Sequence, residues 1–200
     1  DRGIREPKDL EGRIVGLREY TNTVSLVVRG VLQGYYGVDL RRISWRVGDV
    51  DTRERAIADI QVPAMAGMQI AQAGDKLLAD QLAGGKIDGL IAYSPPRCLG
   101  QHSVGRMFER WWEEEQRYFG ATGIFPIMHV VVARRTLIER YPALAPALYR
   151  AFCAAKACAI RELEIEQAPK TMLPWASTHL AETRRALGQN FWPYGLKANR

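Results

Sequence analysis

The stretch from Thr21 to Gly37 constrains this chain most. Val24, Val27, Val28, Val31, Leu32 and Tyr35 recur at i, i+3, i+4, i+7, i+8 and i+11, one continuous apolar face at helical spacing. Thr21, Asn22 or Thr23 supplies the N-cap, and Gly37 the C-terminal stop. A short apolar strand, Arg13 to Leu17, precedes this helix, and Ile43 to Val47 reads as the next strand. A second helix is expected over Asp75 to Leu82, stopped by Gly84-Gly85, with a strand at Ile87 to Ala92. Strands alternating with helices give an α/β fold, and the crossovers imply a largely parallel sheet.

Residues 48 to 73 are less regular. A helix around Arg53 to Ile60 is limited by Pro63 and Gly67. Tyr93-Ser94-Pro95-Pro96 ends the α/β run as a loop. Val104 to Phe119 is expected to be helical and Ile127 to Ala133 a buried strand. Pro146 starts the last long helix, whose apolar face is Leu148, Ala151, Phe152, Ala155, Ala159 and Leu163. Loop and short helix follow Pro169, ending in Trp192-Pro193-Tyr194-Gly195. No internal repeat is present, which excludes solenoids.

With 200 residues, 47% apolar and 25% charged, the chain has the profile of an ordinary globular protein of one large domain or two small lobes. Its longest candidate for a membrane span, Phe119 to Ala133, is broken by Gly120, Gly123 and Pro126 and carries His129, so no span is expected. The first residues lack the apolar core of a secretory signal; the chain starts without Met, which leaves a processed or truncated N-terminus open. The net charge of +6 comes from basic residues interspersed with acidic ones, with no zinc-finger or RNA-recognition signature. That argues against nucleic acid as a partner and suits a small anionic ligand through electrostatic steering. Cys98, Cys153 and Cys158 form no CxxC and are odd in number, so they read as buried apolar thiols in a reducing compartment, with the cytoplasm the expected location.

Several residues could carry chemistry. Glu19-Tyr20-Thr21-Asn22-Thr23 lies where a strand ends and a helix begins, beside the helix N-terminus and outside the carboxyl end of a strand. Two readings stand: a plain N-cap, which every helix needs, and a carboxylate-binding segment. Tyr93, Ser94 and Arg97 follow the strand Ile87 to Ala92 and emerge on the same sheet edge. Arg97 there is either a two-pronged carboxylate grip or a solvated loop residue. Arg53 and Arg55 read more simply as a surface charge cluster. His129 interrupts an apolar strand, where a lone ring is more often a satisfied core residue than a catalyst. His102 and His179 read as surface residues, and Trp111 and Trp112 as lobe core and surface. No HxH, HExxH, GxSxG, GxGxxG or P-loop occurs, so metal, hydrolytic and nucleotide chemistry find no motif.

Read in order, several segments resemble one family. Asp9-Leu10-Glu11-Gly12-Arg13-Ile14-Val15-Gly16 resembles the entry strand of the second lobe in type 2 solute-binding proteins. Four further pieces narrow the resemblance: Glu19-Tyr20-Thr21, Gly84-Gly85-Lys86-Ile87-Asp88-Gly89-Leu90-Ile91, Thr122-Gly123-Ile124-Phe125-Pro126-Ile127-Met128-His129, and Pro193-Tyr194-Gly195 near Asn199-Arg200. Together they look like the 4,5-dihydroxyphthalate decarboxylase family, the string ending in His129 being the most specific.

The resemblance implies a type 2 periplasmic-binding-protein-like fold with two lobes of mostly parallel sheet. It places an inter-lobe linker at 1–12, a complete second lobe at 13–120, and a returning part of the first lobe with the C-terminal segment at 121–200. The first lobe is then incomplete in this chain, and self-association or association through that lobe is expected. The implied substrate is a small anionic aromatic, 4,5-dihydroxyphthalate, which loses one carboxylate as CO2. No cofactor is needed, because the ring hydroxyls can hold the displaced electrons. On that reading His129 is the acid–base group and Glu19 its partner. Tyr20, Thr21, Thr23, Tyr93, Ser94 and Arg97 hold carboxylates or hydroxyls. The rival is a non-catalytic solute-binding or ligand-sensing protein on the same fold.

Overall fold

Asp88 sets where the first strand begins: the Ile14 amide donates to its Oδ2 at 2.9 Å. That strand belongs to a computed structural model describing residues 3–53, 67–101, 104–127, 129–167 and 170–199. The chain divides into two compact units, Asp1–Glu115 and Gln116–Arg200. In the first, β1 (Ile14–Leu17), β2 (Ser44–Val47), β3 (Gln69–Gln72) and β4 (Gly89–Ile91) form one sheet in the order β3-β2-β1-β4. Every pairing is parallel, with Leu17 opposite both Val47 and Ile91. The α/β reading from sequence is thus met.

The helix α1 (Thr23–Gly34) follows β1. Asn22 is its N-cap, accepting from the Ser25 amide at 2.7 Å, and Gly37 leaves the helical path at φ +68°. Its buried face differs from the apolar stripe read from sequence. Ser25, Arg29 and Leu32 are buried, while Val24, Val27 and Val31 are half-buried. On that face Arg29 lies 3.6 Å from the Tyr20 ring centroid, and Leu32 joins Val15, Leu17, Trp45 and Val47 in the core.

The opposite face of the sheet receives α2 (Leu78–Ala83), which is shorter than expected and capped by Gly84. Gly16 makes this approach possible, since a Cβ there would lie 2.8 Å from Ile87 Cδ1 and 3.1 Å from Leu78 Cδ2. The strand β3 was not foreseen. Its residues are largely exposed and half of them are glutamine, so an edge strand of this kind leaves little apolar pattern. The helix expected around Arg53 to Ile60 lies outside the described residues except for Arg53, as do Arg55 and His102.

Helix α3 (Trp111–Thr122) starts later than the expected 104–119. The second unit then carries α4 (Arg135–Arg140), α5 (Leu144–Leu163) and α6 (Ala176–Leu187). Here two sequence expectations are corrected. Residues 127 and 129–133 are neither strand nor buried: Val130, Val131 and Val132 are 77%, 69% and 84% exposed. Extended backbone becomes a strand only when an edge pairs with it, and this segment pairs with none among the described residues. The stripe Leu148, Phe152 and Leu163 on α5 also has the right spacing yet stays exposed. The thiols differ as well: Cys98 is buried, Cys153 half-buried and Cys158 exposed. Among the described residues no helix is long and apolar enough to cross a membrane.

Candidate functional site at the carboxyl edge of the sheet

Parallel pairing brings the ends of β1 and β4 side by side, so the residues that follow them share one edge. After β1 come Arg18 and Glu19; after β4, Tyr93 and Ser94. Arg18 Nη1 donates to the Tyr93 hydroxyl at 2.6 Å, and Arg18 Nε lies 3.8 Å from Glu19 Oε1. The Arg18 side chain is only 15% exposed, whereas the Tyr93 ring stands at 57%. Next to them is the N-terminus of α1. Because Asn22 takes the capping role, Thr21 and Thr23 present exposed residues at a helix end that favours negative charge.

Tyr20 sits within the same segment but faces the other way. Its ring is 3% exposed, edge-on to Trp45 at 6.0 Å, and covered by the Arg29 guanidinium 3.6 Å from its centroid. Burial raises the Tyr20 hydroxyl above its ordinary value and lowers the Arg29 guanidinium below its own. Tyr20 therefore anchors the loop from beneath, a role different from the ligand contact expected for it. A cavity of about 590 Å³ on this flank of α1 is lined by Tyr20, Leu26, Arg29, Gln33, Arg41 and Met68 among others, and reaches none of Glu19, Thr21 or Thr23.

Arg97 is occupied by protein groups. Its amide donates to Asp51 Oδ1 at 3.1 Å and its Nη2 to Asp80 Oδ1 at 2.5 Å. The Asp80 hydrogen bond raises the guanidinium pKa further above its ordinary value. Arg97 thus ties the loop after β4 to α2 and to the loop after β2. Arg53 is likewise engaged, donating to the Asp75 carbonyl at 3.0 Å.

His129 belongs to the second unit and is exposed there, which removes the reading of a satisfied core histidine. His179 is exposed, as expected, and Trp111 and Trp112 are 42% and 50% exposed. Among the described residues no three His, Cys, Asp or Glu side chains cluster as metal ligands would.

Sequence reasoning overlooked Arg18. It sits one residue beyond a strand, beside a more conspicuous Glu-Tyr-Thr, and only the β1–β4 register reveals that it meets Tyr93. The available signal was its place at a strand's carboxyl end.

No protein-family model matches the chain. A 4,5-dihydroxyphthalate decarboxylase from Comamonas testosteroni is 36% identical over an aligned length of 202, covering 100% of this chain and 61% of that protein. A 4,5-dihydroxyphthalate decarboxylase from Pseudomonas putida is 30% identical over 102 residues, 50% of this chain and 39% of that protein. The chain spans about three fifths of the length of the first relative. With identity running through both units, the chain is similar over its whole length to a 4,5-dihydroxyphthalate decarboxylase.

Proposed function

We propose that this protein catalyses the non-oxidative decarboxylation of 4,5-dihydroxyphthalate or a close analogue to a dihydroxybenzoate and CO2. The observation that carries the reading is the 36% identity, along the whole of this chain, to a relative bearing that name. The carboxyl edge of the sheet supports it, because it gathers a cation, a carboxylate, a phenol and a helix N-terminus. The scaffold on this reading is the two-lobed, type 2 periplasmic-binding-protein-like one.

The chemistry follows from the substrate. Deprotonating the ring hydroxyl para to the departing carboxylate pushes electrons to the carbon that bears it. That carbon takes a proton, its bond to the carboxylate breaks, and CO2 leaves as aromaticity returns. One proton is consumed per CO2 released, and no external electron sink is required. His129 is assigned the proton transfer, and Glu19 the complementary base. Thr21, Thr23 and Ser94 donate to substrate oxygens, helped by the positive end of α1. Arg97 holds the loop that carries Tyr93 and Ser94 through its bonds to Asp51 and Asp80.

The partners proposed are a small aromatic dianion and further copies of the chain, which sedimentation equilibrium would reveal as concentration-dependent association. Exposed apolar side chains on α5 support that association. A cytoplasmic location fits thiols that form no disulfide.

Incubation with 4,5-dihydroxyphthalate tests the activity. Release of CO2 with accumulation of the dihydroxybenzoate supports it. Saturable heat with the ligand recovered unchanged would identify a solute-binding protein instead.

A further inference from the structure

Beyond the activity proposed above, and independently of it, we propose that the cavity of about 590 Å³ beside α1 binds a small monocarboxylate with an apolar body, held through Arg29. Arg29 is 7% exposed, a cation carried almost wholly out of water. Its Nη1 donates to the Tyr20 carbonyl, and its guanidinium lies over the Tyr20 and Trp45 rings, 3.6 and 6.0 Å from their centroids. Those contacts offset part of the desolvation, but none of them brings a negative charge. No ion pair with Arg29 occurs among the described residues. Burial accordingly holds the guanidinium below its ordinary value, the direction that a bound carboxylate reverses.

Arg41, the second guanidinium on the cavity wall, is in a different situation. Its Nε and Nη2 donate to the two carboxylate oxygens of Asp39 at 3.0 and 3.1 Å. The lining therefore holds one neutralised pair and one cation without a counter-ion, a balance that suits a ligand of single negative charge. A guanidinium stacked on a ring keeps its edge N–H groups for a carboxylate in its plane. Gln33, one turn along α1 from Arg29, adds an amide able to donate to the second carboxylate oxygen. Leu26, Leu40 and Met68 supply the apolar wall, and the volume falls in the range of small-molecule sites. Neither Glu19, Thr21 nor Thr23 lines the cavity, so it is separate from the carboxyl-edge site.

The test is calorimetric titration of the full chain with hexanoate and with 1-hexanol, for wild type, Leu26→Gln, Leu26→Glu and Arg29→Met. Hexanoate should saturate one site per chain with a Kd of about 1 mM or below, and hexanol should bind at least about tenfold more weakly. Leu26 is 61% exposed, so replacing it leaves the core intact. Leu26→Glu sets a negative charge on the cavity wall and should bind hexanoate about fivefold or more weakly than the neutral Leu26→Gln. A folded Arg29→Met should bind hexanoate no better than hexanol. Three results overturn the proposal: hexanol binding as tightly as hexanoate, equal hexanoate affinity in Leu26→Glu and Leu26→Gln, or no saturable hexanoate binding up to about 10 mM. Wild-type hexanoate affinity in a folded Arg29→Met overturns it as well. If Arg29→Met does not fold, the two Leu26 variants decide.

Discussion

Arg29 Nη1 donates to the carbonyl of Tyr20 at 2.5 Å while its guanidinium lies 3.6 Å over the Tyr20 ring. One side chain thereby fixes both the backbone and the ring of the residue between Glu19 and Thr21. The carboxyl-edge loop is held from the core side.

Arg29→Met should therefore destabilise the fold by about 2–3 kcal/mol, by stranding a buried carbonyl and losing the cation–ring contact. Arg29→Lys should recover only part, since an ammonium cannot stack as the flat guanidinium does. Urea unfolding midpoints measure this. An unchanged midpoint in Arg29→Met would remove the loop anchor.

Gly16 is where α2 meets the sheet. A Cβ there would crowd Ile87, Leu78 and Leu90 together, so Gly16→Val should cost about 2–3 kcal/mol in the same assay. A variant as stable as wild type would mean that α2 sits further from β1 than the structure has it.

Asp39 gives a pH dependence whose sign is fixed. Its carboxyl is held below the ordinary 3.8, first by the side-chain hydrogen bond from Arg41 and then by the Arg41 amide. A depressed folded value means the stabilisation is present above the unfolded value and is lost as pH falls through the folded one. Melting temperature scanned downward from about pH 5 should fall more steeply in wild type than in Asp39→Asn, the difference opening below about pH 4. Parallel curves would show that the Asp39–Arg41 pair does not couple to folding.

His129 is exposed, so His129→Asn should leave the melting temperature unchanged while turnover drops by about 100-fold, the usual scale of general acid–base catalysis. Wild-type turnover in the variant would end its assignment to proton transfer.

The sequence revealed the α/β order because Val24 to Tyr35 and the flanking strands carry their periods locally. It misjudged what depends on neighbours far along the chain. Val130 to Val132 have strand composition but no edge to join among the described residues, and Leu148, Phe152 and Leu163 on α5 have helical spacing but stay exposed. The same limit explains the site. That Glu19, Thr21 and Tyr93 lie beyond strand ends was legible from position, whereas the contacts of Arg18 with Tyr93 and of Arg97 with Asp80 join residues 75 and 17 apart in sequence. Tyr20 was grouped with the ligand from its place between a strand end and a helix start, whereas its ring is buried beneath Arg29.

The central claim, that a proton takes the place of a departing carboxylate, is tested most directly by running the reaction in D2O with 4,5-dihydroxyphthalate and examining the product by mass spectrometry and NMR. The account predicts one CO2 per substrate consumed and a dihydroxybenzoate carrying one deuterium on the ring carbon that lost its carboxylate, ortho to the one retained. Substrate recovered whole after saturable binding, or a product without deuterium at that carbon, would contradict it.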